Sequence, residues 1–281
     1  MIDETAAEIR AMQTHSSSTV AIKAAEALRE VPRTDHATVE EYRRSLERNA
    51  KALWRANPSH ASLRTATRGI VTAVEDADPA TVVDAKRATE TAINGTVERI
   101  ETGKHDAARN AADRLTDGTT LLTHDYSSTV IEALSMAAAD GKSADVRVTE
   151  ARPRHLGRKT ARELADIEGI DPTLIVDSAS GNYLDECDRV LVGMDCIVGD
   201  RLYNRVGTFP LCATADALDV PVSVVGSSAK IVDEGFVFEN EHRAISEVIR
   251  EPPTGFAVEN PAYDATPLEL IDAVVTDDGV R

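Results

Sequence analysis

The sequence predicts an α/β protein: a helical N-terminal domain over residues 1–115, followed by a parallel-sheet domain over residues 116–281. Two observations predict it. Up to about residue 102, apolar residues recur at helical spacing. After Gly118 the period changes, and short apolar runs alternate with segments of helix length. The 42% hydrophobic composition over 281 residues is ample for the buried cores this plan needs.

Taken in order, helices are expected over residues 4–12, 17–30, 39–56, 60–75 and 79–102. Pro32, Pro58 and Pro79 mark the breaks, and Thr38 and Ser59 stand where helix N-caps belong. Strands are expected over 119–123, 145–149, 173–176, 189–192 and 220–225, with helices over 128–139, 159–168 and 208–218 between them. That alternation favours a parallel sheet with helices on both faces, in which ligands collect where the carboxyl ends of the strands meet their loops.

Acidic residues outnumber basic ones by 48 to 31, for a formal charge of −17, and the basic residues comprise 24 Arg and only 7 Lys. A carboxylate-rich surface stays hydrated and repels itself until dense salt screens it, which suits a high-salt cytoplasm. It also argues against direct nucleic-acid binding, which needs a concentrated Lys/Arg face. No run of about 18 apolar residues occurs, and residues 1–25 lack a leader's basic and apolar regions. A cytoplasmic chain without a membrane partner is therefore expected. Cys187, Cys196 and Cys212 have no metal-ligand spacing and read as reduced, buried thiols, so neither metal nor cofactor is expected.

Four strand ends carry polar residues beyond the needs of a turn, of which Asp177-Ser178 after Leu174-Ile175-Val176 is, taken singly, uninformative. The first, His124-Asp125-Tyr126-Ser127-Ser128-Thr129, runs into a helix. Its hydroxyls read either as helix caps or, with the exposed N–H groups, as an anion site. The second, Glu150-Ala151-Arg152-Pro153-Arg154-His155-Leu156-Gly157-Arg158, holds three arginines, whose planar forks suit phosphate. Arginines paired with surface acids are the alternative. In the third, Gly193-Met194-Asp195 leads on to Asn204-Arg205-Val206-Gly207-Thr208, and Asp195 reads as a general acid or base or as a turn aspartate. No Walker A, GxGxxG or GxSxG pattern stands at the matching positions.

Together these blocks, with Leu122-Thr123-His124, Leu174-Ile175-Val176-Asp177-Ser178-Ala179 and Glu259-Asn260-Pro261-Ala262-Tyr263-Asp264-Ala265-Thr266-Pro267, resemble a known family. It joins the alpha, beta and delta subunits of translation initiation factor 2B to the isomerases of methylthioribose 1-phosphate and ribose 1,5-bisphosphate. Ile9-Arg10-Ala11-Met12 and Ala24-Ala25-Glu26-Ala27-Leu28 extend the likeness into the helical half. The resemblance implies that the second domain is Rossmann-like.

It also implies two functions, because the family holds both enzymes and regulators. The isomerases have cysteine directly after Thr-His, working with the aspartate of the later block; here the pair is Asp125 and Asp195. Cysteine ionises near pH 8.5 and aspartate near 3.9, so Asp125 serves as a proton donor at neutral pH only if the site raises its pKa. The bisphosphate isomerases share an Arg-Gly-Ala-Gly run where His15-Ser16-Ser17-Ser18 stands, and their Asn-Lys is Asn204-Arg205. Regulatory subunits lack the cysteine and have a pair like Tyr126-Ser127, but they do not generally keep the aspartate at 195. The first reading is accordingly a factor 2B-like regulatory or binding protein that self-associates, holds a sugar phosphate or nucleotide, and has translation initiation factor 2 as a candidate partner. The alternative is an aldose–ketose isomerase of a phosphorylated pentose, with Asp125 and Asp195 catalytic. In either case the resemblance offers Ser127, Ser128, Arg152, Asn204 and Arg205 as ligand contacts.

Overall fold

In the computed structural model, residues 2–11, 16–232, 236–251 and 253–281 are described, and His15 lies outside them. The first half folds into helices α1 (Ile2–Arg10), α2 (Ser17–Ala27), α3 (Glu30–Arg33), α4 (Val39–Trp54), α5 (Ala61–Asp76) and α6 (Val82–Asp113). Packing divides the chain into two units, Met1–Thr102 and Gly103–Arg281.

In the first unit the apolar stripes of α2, α4 and α5 meet, burying Leu28, Tyr42, Leu46, Leu53, Leu63, Ile70 and Ile93 almost completely. Tyr42 keeps its hydroxyl satisfied inside this core by donating to Thr89 Oγ1 at 2.7 Å. Thr38 caps α4, accepting from Glu41 N at 3.1 Å, while the Glu41 carboxylate accepts from Ala37 N at 2.8 Å. Ser59 does not cap α5. That helix begins one residue later than the sequence suggests, with His60 at the cap position, and Ser59 N donates to Asn57 Oδ1 instead.

The second unit runs β1 (Thr119–His124), α7 (Ser128–Ala139), β2 (Ala144–Thr149), α8 (Gly157–Ala165), β3 (Ile170–Ile175), β4 (Arg189–Gly193), β5 (Cys196–Val198), β6 (Arg201–Arg205), α9 (Thr208–Ala217), β7 (Val222–Val225), β8 (Ile231–Val232), β9 (Tyr263–Pro267), β10 (Ala273–Thr276) and β11 (Gly279–Val280). Its main sheet has the order β11-β10-β7-β4-β1-β2-β3 and is parallel except for the antiparallel β10–β11 pair. Leu121 and Leu122 show how the sheet divides the core: Leu121 packs with α7 and the end of α6, Leu122 with α9 on the opposite face. The sheet is Rossmann-like, as the strand and helix alternation and the family resemblance imply.

The chain winds outward from β1 through β2 and β3, then returns to place β4 on the other side of β1. The switch point therefore lies between the carboxyl ends of β1 and β4, which carry Asp125 and Asp195, and crevices in such sheets open there. β5 follows β4 after only Met194 and Asp195, turning into a second sheet of order β8-β5-β6-β9. Among the described residues, no helix is long and apolar enough to cross a membrane.

Candidate functional site

The end of β1 is bound from three sides. His124 Nδ1 lies 2.6 Å from Thr149 Oγ1 on β2, and its Nε2 lies 2.8 Å from the Val206 carbonyl. Asp125 then takes a left-handed backbone, φ +61°, which aspartate tolerates better than most side chains. Thr160 of α8 holds that turn by donating to the Asp125 carbonyl at 2.7 Å. The carboxyl is thereby aimed inward, and its Oδ1 is buried without a hydrogen-bond partner among the described residues.

Arg205, from the end of β6, lies between the two aspartates, with Nε 3.8 Å from Asp125 Oδ2 and 3.4 Å from Asp195 Oδ2. These separations are ion pairs rather than short hydrogen bonds. All three side chains are buried, each residue being only 6–8% exposed. Arg205 also lies over the ring of buried Tyr263, 4.9 Å from its centroid. Burial raises the Asp125 pKa, against the pull of Arg205 and His124. Burial works against the Arg205 charge too, but the neighbouring carboxyls of Asp195 and Asp125 offset it and hold the guanidinium protonated. Lys230, also buried, donates to the Met194 carbonyl at 2.9 Å and so fixes the residue before Asp195.

Beside this triad runs a narrow crevice lined by Asp125, Arg152, Arg154, Arg205, Arg243 and Asn260, together with the apolar edges of neighbouring loops. Four arginines line this crevice on a chain of charge −17, and three of them are met by carboxylates: Arg205 by Asp125 and Asp195, Arg154 and Arg243 by Glu247. Asp177 shapes the arginine loop by accepting from Ala151 N and Arg152 N, both at 2.7 Å. Gly157, where that loop enters α8, lies so close to the Thr149 carbonyl that a Cβ would overlap it.

The structure thus brings Asp125, Asp195 and Arg205 into contact and places Arg152 on the same crevice wall. Ser127 caps α7, accepting from Val130 N at 3.3 Å, and its hydroxyl fills the space beside Gly193. Ser128 begins α7, outside the crevice lining. Asn204 donates to Thr208 Oγ1 at 3.1 Å and so braces the start of α9. Arg243 and Asn260 were not anticipated. Among the described residues around them, the regular structure is a 3-10 turn at Ile245–Glu247 and a bridge between His242 and Pro261, too short for periodicity to show; the available signal is the Asn260-Pro261 block near the chain's end. The three thiols are free and buried, and burial raises the pKa of each, Cys212 to about 12.

Comparison with known proteins identifies the family and the fold. A family model described as "Initiation factor 2 subunit family" matches residues 13–281. A ribose 1,5-bisphosphate isomerase of Haloferax volcanii is 33% identical over 99% of this chain and 88% of its own length. The protein of the same name from Haloterrigena turkmenica is 34% identical over 98% of this chain and 88% of its own. Among solved structures, a Pyrococcus horikoshii translation initiation factor eIF-2B superposes with a TM-score of 0.84 at 24% identity, covering 99% of this chain and 96% of that one. The chain belongs to the initiation factor 2 subunit family.

Proposed function

We propose that this chain is an aldose–ketose isomerase of a phosphorylated pentose, of the ribose 1,5-bisphosphate isomerase type, with Asp125 as proton donor. The observation that carries this reading is the buried Asp125 Oδ1, without a hydrogen-bond partner among the described residues, on a crevice wall with four arginines. Relatives named for that activity, matched over nearly the whole chain, support it.

The chemistry suits a carboxylic acid. A phosphate on the anomeric oxygen removes the hydroxyl proton whose loss would open the ring, so the ring oxygen itself must be protonated as its bond to C1 breaks. Asp125 gives that proton; hydrogen moves from C2 to C1 with its electron pair; and Asp195 takes the proton from the C2 hydroxyl as the ketone forms. The enzyme gives one proton and receives one. Arg205 holds both carboxyls, and Arg152 faces the phosphate. Incubation with ribose 1,5-bisphosphate should yield ribulose 1,5-bisphosphate, and Asp125→Asn should abolish turnover while binding survives.

The second reading is a regulatory protein in which the same crevice holds a phosphosugar or nucleotide and the protein self-associates, with translation initiation factor 2 as partner. The aspartate in place of the isomerases' cysteine favours it. Ligand-induced stabilisation without any ketose product from either ribose 1,5-bisphosphate or methylthioribose 1-phosphate would establish it over the isomerase.

A further inference from the structure

Away from the aspartates, the crevice wall is built by Arg154 and Arg243, and a carboxylate already holds them. Glu247 receives Arg243 Nε at 2.9 Å on Oε2 and Arg243 Nη2 at 2.7 Å on Oε1, a bidentate fork. Its Oε1 also lies 3.9 Å from Arg154 Nε, and Asn260 Nδ2 donates to Oε2 at 3.3 Å. The Arg243 main chain is fixed independently of this clamp, because its backbone N–H donates to the Asn260 carbonyl at 2.8 Å, and its Nη1 also lies 3.5 Å from Glu241 Oε1. The donors thus converge on one point: two guanidiniums and a side-chain amide, all three on residues that line the crevice. Arg154 is half-buried, and its charge is disfavoured first by burial and then by Arg243 and Arg205. Glu247 and Asp125 offset this only in part, and the Glu247 side chain is 24% exposed and so has a path to solvent.

We infer that Arg154, Arg243 and Asn260 form a phosphate subsite that Glu247 fills as an internal counter-ion, and that a ligand's phosphate displaces this carboxylate. A phosphate dianion brings more acceptor oxygens and more charge than a carboxylate to the same forks, so it wins the exchange although Glu247 is tethered. The tether acts as a built-in competitor: it lowers affinity for single anions and leaves the subsite to ligands anchored elsewhere in the crevice. The inference rests on the reading that the crevice takes a phosphorylated ligand, but not on any turnover.

The test is calorimetric titration of the full chain with inorganic phosphate at fixed ionic strength. Glu247→Gln removes the competing charge and is expected to tighten phosphate binding about fivefold or more. Arg243→Gln and Arg154→Gln are expected to weaken it about tenfold or more. Glu247→Asp keeps the charge on a shorter arm and should fall between wild type and Glu247→Gln, which retains a test should the amide variant fold poorly. Unchanged or weaker phosphate binding in the Glu247 variants would overturn the inference, as would phosphate binding indifferent to both arginines. Loss of isomerase turnover with this pattern intact would count against the proposed function alone.

Discussion

At the residue scale the site depends on a carboxyl held in an unfavourable medium. Because burial raises the folded-state pKa of Asp125 above its ordinary value of 3.8, its protonated form adds stability at low pH, and that contribution is lost as pH rises through the raised pKa. Asp125→Asn should therefore gain on wild type as pH rises from about 4. The difference in melting temperature, measured from pH 4 to 8, should widen in the variant's favour, and a constant difference would refute the assignment. Turnover should fall over the same window, since the donor form is being lost. Gly207 is the second sensitive residue. Its φ of +107° belongs to glycine, and a Cβ there would lie 2.6 Å from His124 Nε2. Gly207→Ala should cost at least about 1–2 kcal/mol in denaturant unfolding, through backbone strain alone.

At the element scale, α9 is aimed by a residue far along the chain. Gly207 provides no side-chain cap, and Asp264 of β9 accepts from Gly207 N at 2.7 Å and Phe209 N at 3.0 Å. Asp264→Ala should cost about 1 kcal/mol, as loss of a helix cap does, and should loosen the Arg205 end of β6, which pairs with Tyr263. A stability loss with ligand affinity unchanged would separate the two roles. This long-range cap also explains what the sequence hides. Helices α1, α2, α4 and α5 are legible by their helical period and β1, β2, β4 and β7 as short apolar runs; Pro32, read as a break, lies inside the short α3, and α6 runs on to Asp113, past the expected end at 102. β3 is legible only from Thr173; it extends back to Ile170 through Asp171-Pro172, which reads as a loop, and proline is tolerated there because β3 is an edge strand. β5, β6, β8 and β9 are two to five residues long and take their pairing from partners distant in sequence, so no local pattern announces the second sheet. Asp125, Asp195 and Arg152 were legible as polar residues at strand ends, whereas Arg243 reaches the crevice by a route with no periodicity.

At the scale of the whole molecule the dominant quantity is the charge of −17. In dilute buffer the self-repulsion of that surface acts against the compact state, and salt removes it as the Debye length falls from about 10 Å at 0.1 M to about 3 Å at 1 M. The melting temperature should therefore rise steeply across that range of KCl. Salt also strengthens apolar burial, so the rise alone does not identify its cause. A variant in which the exposed Glu75, Asp76, Asp166 and Glu168 become glutamine or asparagine separates the two, since it removes four negative charges and leaves the cores untouched. If repulsion dominates, this variant melts higher than wild type at 0.1 M KCl, and the gap closes towards 1 M. Parallel curves for the two proteins would show instead that salt acts through burial, and the acidic surface would then need another explanation. The arginine-lined crevice should respond in the opposite sense, because the salt that stabilises the fold also screens the arginines from phosphate. Ligand affinity measured along the same KCl series should fall as the melting temperature climbs.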